Sequence, residues 1–337
     1  MIDRGRAGRG GSRVAAPASR AARALMTLGL LAMAAAPAVA QDTHLLVIAG
    51  VGGSPEHTAQ FHKWASTVAD AAKRHGVAEA NVTYLGEKPE QDAARVQARS
   101  TRENVTKAFA DLAARAKPDD EIFVLLIGHG TFDGRQGAFN LPGPDLTAGD
   151  YALLLQRFTT QRIVFVNTGS SSGAFLQALA GPGRTIVTAT KTGGERNETR
   201  FPAFFVEALD GDEADRDRNG RVSVLEAFDY ARTKVATSYE QGGHLLTEHA
   251  TLDDGSEGKF AATQFLAPPR SRSAEMAGAD PKLRALVEER DLLERRVAAL
   301  QQRKDSMDAG QYEQELEKLL TELALKTRAI RDFEAKK

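Results

Sequence analysis

Cysteine is absent from this 337-residue sequence. That excludes a disulfide framework, a zinc–thiolate site, an iron–sulfur cluster and a cysteine nucleophile. A charge excess is also missing, with 44 Lys and Arg against 45 Asp and Glu. A dedicated nucleic-acid binder would carry a strongly basic face, so no nucleic-acid partner is expected. There is no long hydrophobic run either. The best candidate, residues 24–33, is too short and alanine-rich for a stable membrane span. What remains is ordinary for a soluble globular chain, 42 % hydrophobic and 26 % charged. The length allows two modest domains, or one large domain with extensions.

Residues 1–23 hold six arginines and one acid, and the apolar run that follows ends in Pro37-Ala38-Val39-Ala40. A basic region, a short apolar core and a small-x-small site are the marks of a secretory leader over 1–40. Cleavage after Ala40 leaves 38 basic and 44 acidic residues, a net charge of -6. The expected destination is periplasmic or secreted, with no stable membrane span after cleavage.

Short apolar runs alternate with amphipathic stretches from residue 44 onward. His44–Ala49, Asn81–Leu85, Glu121–Ile127, Arg162–Val166 and Arg184–Ala189 read as strands. Helices are expected from Ser54-Pro55 to about His75, from Ser100 to about Ala116, and over Thr147–Phe158, Gly173–Ala180 and Phe201–Leu209. Ser54 supplies a cap and Pro55 fits the first helical position. This alternation predicts an α/β fold with a mostly parallel sheet and helices on both faces.

In such sheets ligands bind beyond the carboxyl ends of the strands. Two strand ends carry chemistry: Gly128-His129-Gly130 after the third, and Ser170-Ser171-Ser172-Gly173 after the fourth. The order strand–Gly-His-Gly, helix, strand–Ser-Gly, then a strand ending Thr188-Ala189-Thr190, resembles the caspase-fold cysteine peptidases, and most closely their legumain-like branch. The resemblance spans about His44 to Asp254. It implies a caspase-like sheet, a general base at His129 and a nucleophile position at Ser170, where the family has cysteine. A serine hydroxyl cannot be pre-ionised as a thiol can, and needs an oriented base in direct contact. The resemblance therefore implies a catalytically impaired homologue that binds a peptide or protein partner. The segment Gly53 to Trp64 has no arginine, so the family's preference for asparagine is not carried over. A second reading keeps activity. An active hydrolase would use Ser170 or Ser171 with His129, and Gly169-Ser170-Ser171-Ser172-Gly173 fits G-x-S-x-G with Ser171 as the nucleophile. In that reading Asp229 or Asp253, with His244 or His249, supplies further triad members, and Gly130 an oxyanion donor.

Asp215 to Glu226 fits the twelve-residue EF-hand loop at every diagnostic position. The oxygen ligands would be Asp215, Asp217, Asn219, the Arg221 carbonyl, Ser223 and bidentate Glu226, with Gly220 at the sharp turn. Arg216, Arg218 and Arg221 weaken the local negative field. The expected occupant is Ca²⁺ in a rigidifying role. The α/β domain is expected over 41–264 and a polar linker over 265–281. Over 282–337, Leu283, Leu286, Leu293, Val297 and Leu300, then Leu316, Leu319, Leu323, Ile330 and Phe333, recur at three- and four-residue spacing. Arg290 and Lys326 interrupt the two seams. This pattern predicts a helical hairpin or coiled coil, capable of self-association.

Overall fold

The structure is a computed structural model that describes residues 41–266, 280–302 and 307–334. The leader expected over 1–40, most of the linker and the tip between the last two helices lie outside these residues.

Seven strands form one sheet. In chain order they are β1 (Thr43–Ala49), β2 (Val82–Gly86), β3 (Ala98–Arg99), β4 (Glu121–Ile127), β8 (Arg162–Asn167), β9 (Arg184–Thr188) and β10 (Thr251–Asp253). Their spatial order is β10-β9-β8-β4-β1-β2-β3. Every pairing is parallel except β9 with β10. Side chains alternate along each strand, and the central strands β1, β4, β8 and β9 are covered on both faces, whereas the edge strands β3 and β10 are only partly buried. Leu45, Val47, Phe123, Leu125, Val164 and Val166 join one apolar cluster. Their neighbours Leu46, Ile48, Val124, Leu126 and Phe165 join the other.

The first cluster is closed by α1 (Pro55–Arg74), α5 (Phe201–Asp210) and α6 (Val224–Gln241); the second by α2 (Arg102–Arg115), α3 (Ala148–Leu155) and α4 (Leu176–Leu179). Ser54 caps α1, accepting from the His57 amide at 3.2 Å. Thr147 and Asp150 form a reciprocal capping box on α3. In the expected helix over Gly173–Ala180, only four residues are α-helical, preceded by a 3-10 turn over Ser172–Phe175. The start is pinned by Gly173, whose amide donates to Thr190 Oγ1 and whose Cα lies so close to Lys191 that a side chain would clash. A small antiparallel sheet, β5 (Gly130–Phe132), β6 (Gly137–Phe139) and β7 (Leu146–Thr147), follows His129 directly. Its strands are two or three residues long, too short to produce a readable alternation.

Two long helices end the described chain, α7 (Pro281–Gln302) and α8 (Ala309–Glu334). Leu293, Val297 and Leu300 cluster with Tyr312 and Leu319, and Leu283 and Val287 with Ile330. Both seam interruptions are explained. Lys326 pairs with Glu289 across the two helices. Arg290 is buried, pairs with Asp291 and donates to the Asn219 carbonyl at 2.8 Å. One residue pair further on, Glu294 meets Arg221 at 3.4 Å, and the Arg221 guanidinium lies 3.7 Å over the Phe265 ring. Helix α7 thus contacts the core through charges placed on the 215–226 loop. Removing one partner of such a pair strands the other in a desolvated place. Glu294→Ala should weaken this contact by about 2 kcal/mol, less than for a fully buried pair. Faster amide exchange across Pro281–Gln302, with β1 and β4 unchanged, is the expected result.

Among the described residues no helix is long and apolar enough to cross a membrane.

Candidate active site and metal loop

From β1 the chain moves outward to β2 and β3, then returns to β4 on the other side of β1. The strand order therefore reverses between β1 and β4, and a crevice opens beyond their carboxyl ends. Gly50–Gly53 leave β1 there, and Gly128–Gly130 leave β4. The turn Thr168–Gly173 leaves β8, the neighbour of β4.

His129 is half-buried. Phe61 and His57 of α1 each stand edge-on to its ring with centroids 5.0 Å away. Burial, then the like charge His57 can carry, holds its pKa below the usual histidine value, while Glu198 and the Gly52 main chain pull it back. Neutral imidazole is the form a general base requires.

Ser170 is buried at 6 % exposure. Its hydroxyl donates to the Gly130 carbonyl at 3.1 Å and lies 3.3 Å from the Gly130 amide. A side chain at residue 130 would meet the Ser170 carbonyl at 2.3 Å, so only glycine allows this approach. His129 and Ser170 thus end adjacent strands, yet the serine bonds to main chain and not to the imidazole. Ser171 adopts φ 57°, in the left-handed region. Its amide donates to the Glu195 carbonyl at 2.8 Å. Its hydroxyl is buried and has no hydrogen-bond partner among the described residues.

The further triad members expected for Ser171 do not reach it. Asp229 pairs with Arg232, and Asp253 accepts from the Gly255 amide. His249 binds Glu195 at 3.0 Å, and His244 is exposed. None bonds the Ser171 hydroxyl.

Two residues at the crevice went unread in the sequence. His57 Nδ1 is 3.1 Å from Ser54 Oγ, and its Nε2 is 3.1 Å from Glu198 Oε1. Glu198 is 141 positions from His57, and no local pattern joins them. The loop that carries it is tied down by buried Thr199, whose hydroxyl donates to the Thr168 carbonyl at 2.6 Å.

The 215–226 loop gathers its acids. Carboxylate oxygens of Asp215, Asp217 and Glu226 lie within 4.8 Å of one another. Burial, then the crowding of Asp217 and Glu226, raises the Asp215 pKa, while the Gly220 amide opposes it. Three mutually repelling carboxylates are what a hard divalent cation relieves. Gly220 turns at φ 80° and donates to Asp215 at 2.6 Å. The Asn219 and Ser223 side chains sit on the same loop, with Ser223 and Glu226 forming the capping box that opens α6. The exit of the loop is tied to the core, where Ser223 bridges Phe265 and the Val224 amide donates to the Gln264 carbonyl. The three carboxylates, with the Asn219 and Ser223 oxygens on the same loop, form a cluster that could hold a metal ion.

No protein-family model matches the chain, and no curated protein matches it in sequence.

Proposed function

We propose that the chain is an exported, legumain-like homologue of the caspase-fold peptidases, impaired as a peptidase, whose crevice binds a peptide or protein segment. One observation carries the reading. Ser170 stands at the position that the resemblance gives the nucleophile, one strand away from His129, with its hydroxyl bonded to the Gly130 main chain. A nucleophilic serine needs an imidazole in that bond instead. Further support comes from the strand order, which opens the crevice between β1 and β4, and from the exposed main chain at Gly53. The acidic loop is proposed to hold a structural Ca²⁺. The C-terminal helices are proposed to form a coiled-coil hairpin through which copies can associate.

The test is a pooled library of unstructured peptides incubated with the purified chain. Bound peptides should be recovered at full length. Recovery of cut products, lost in His129→Ala, would overturn the reading in favour of an active enzyme at Ser170 or Ser171.

A further inference from the structure

Ser54, His57 and Glu198 form a continuous hydrogen-bonded chain at the mouth of the crevice, apart from Ser170 and Ser171. We propose that this constellation is a second nucleophilic site, in which Ser54 attacks carboxylic esters with His57 as base and Glu198 as its orienting acid.

The geometry sets the proton positions. Glu198 Oε1, an acceptor, is 3.1 Å from His57 Nε2, so that nitrogen carries the hydrogen. The neutral ring then has a bare Nδ1, 3.1 Å from Ser54 Oγ. Ser54 Oγ already accepts the His57 amide hydrogen at 3.2 Å, so its own proton is directed at Nδ1. The chain thus runs hydroxyl to imidazole to carboxylate, as an activated serine requires. Residues 54 and 57 lie within one helical turn, which holds the first contact. The loop anchored by Thr199 holds the second.

The surroundings suit the chemistry. Ser54 opens the 20-residue helix α1, whose positive end favours negative charge developing nearby. Gly53 at φ 70° leaves open space beside the serine, where a side chain would touch nothing. The His129 ring stands edge-on to His57 with centroids 5.0 Å apart.

The step balances without any further reactant. Ser54 Oγ bonds to the ester carbonyl carbon as its proton moves to His57 Nδ1. The carbonyl re-forms, the carbon–alkoxy bond breaks, and the alcohol leaves with the proton from Nδ1. Water then repeats the sequence on the acyl-serine, releasing the acid and restoring the hydroxyl.

The test treats the purified full chain with a fluorophosphonate probe and, separately, with p-nitrophenyl acetate. Mass spectrometry should place the phosphonyl group on Ser54. Ser54→Asn keeps a side-chain oxygen to cap α1 but has no hydroxyl, so it separates nucleophile from cap. It should lose labelling and ester turnover at least 100-fold with its melting temperature nearly unchanged. Glu198→Gln should lower both rates at least 10-fold. Ser66→Ala, on the outer side of the same helix, should label as the wild type does. Labelling at Ser170 or Ser171, undiminished labelling in Ser54→Asn, or none above a heat-denatured control would each overturn the proposal.

Discussion

Calcium at 10 mM should raise the thermal midpoint by roughly 5–10 °C over chelator-treated protein, and Glu226→Gln should abolish that difference. The size follows from mass action. A lone extracellular-type loop binds with a Kd near 10⁻⁴ M, as an order of magnitude. A hundredfold excess then stabilises the folded chain by about 2.7 kcal/mol, and a domain of this size gains roughly 2–4 °C per kcal/mol. The direction follows from the loop, where three carboxylates crowd within 4.8 Å. Glutamine at 226 can still accept from the Ser223 amide, so α6 keeps its start while a bound cation would lose a charged ligand. Equal midpoints with and without calcium in the wild type would remove the metal from the account. The same titration should slow amide exchange in Pro281–Gln302, because Arg221 and Asn219 of the loop are the residues that α7 touches.

Ser170→Cys should give peptide hydrolysis at least ~100-fold above wild type, the scale of one activated nucleophile. The hydroxyl sits 3.3 Å from the Gly130 amide and one strand from His129, but cannot ionise near neutral pH. A thiol at that position needs only loose company from an imidazole to become a thiolate. The His129 pKa is held down by burial, so it is available as a base near neutral pH. Activity should disappear again in Ser170→Cys with His129→Ala. Absence of hydrolysis in a folded Ser170→Cys chain would mean that Ser170 is not the nucleophile position, and the legumain-like alignment would fail with it.

Much of this architecture is legible in the sequence because it is locally encoded. Continuous apolar runs such as Glu121–Ile127 mark strands buried on both faces. Ser54-Pro55 and the Asp215–Glu226 spacing mark a helix start and a loop by residue type alone. The crevice at the ends of β4 and β8 follows from the same alternation. What escapes is long-range or very short. The β5–β7 sheet consists of fragments that the turn around Gly134 and the close packing of Gly130 hold in place. Antiparallel β10 is set by its pairing with β9 and not by its own three residues. His57 and Glu198 meet across 141 positions, and Arg290 meets Asn219 across 71. Arg290 looks like a defect in a helical seam until its partner on the loop is seen. Tertiary contacts of this kind leave no periodicity to read.

The crevice beyond β1, β4 and β8 is proposed as a peptide-binding surface with Ser170 in the silent nucleophile position. Hydrogen exchange measured with and without a bound peptide from the library tests it most directly. The expected result is slowed exchange confined to residues 50–58, 128–132, 168–175 and 191–199. Protection that falls instead on Pro281–Gln302 and Ala309–Glu334, with those crevice segments unchanged, would contradict it.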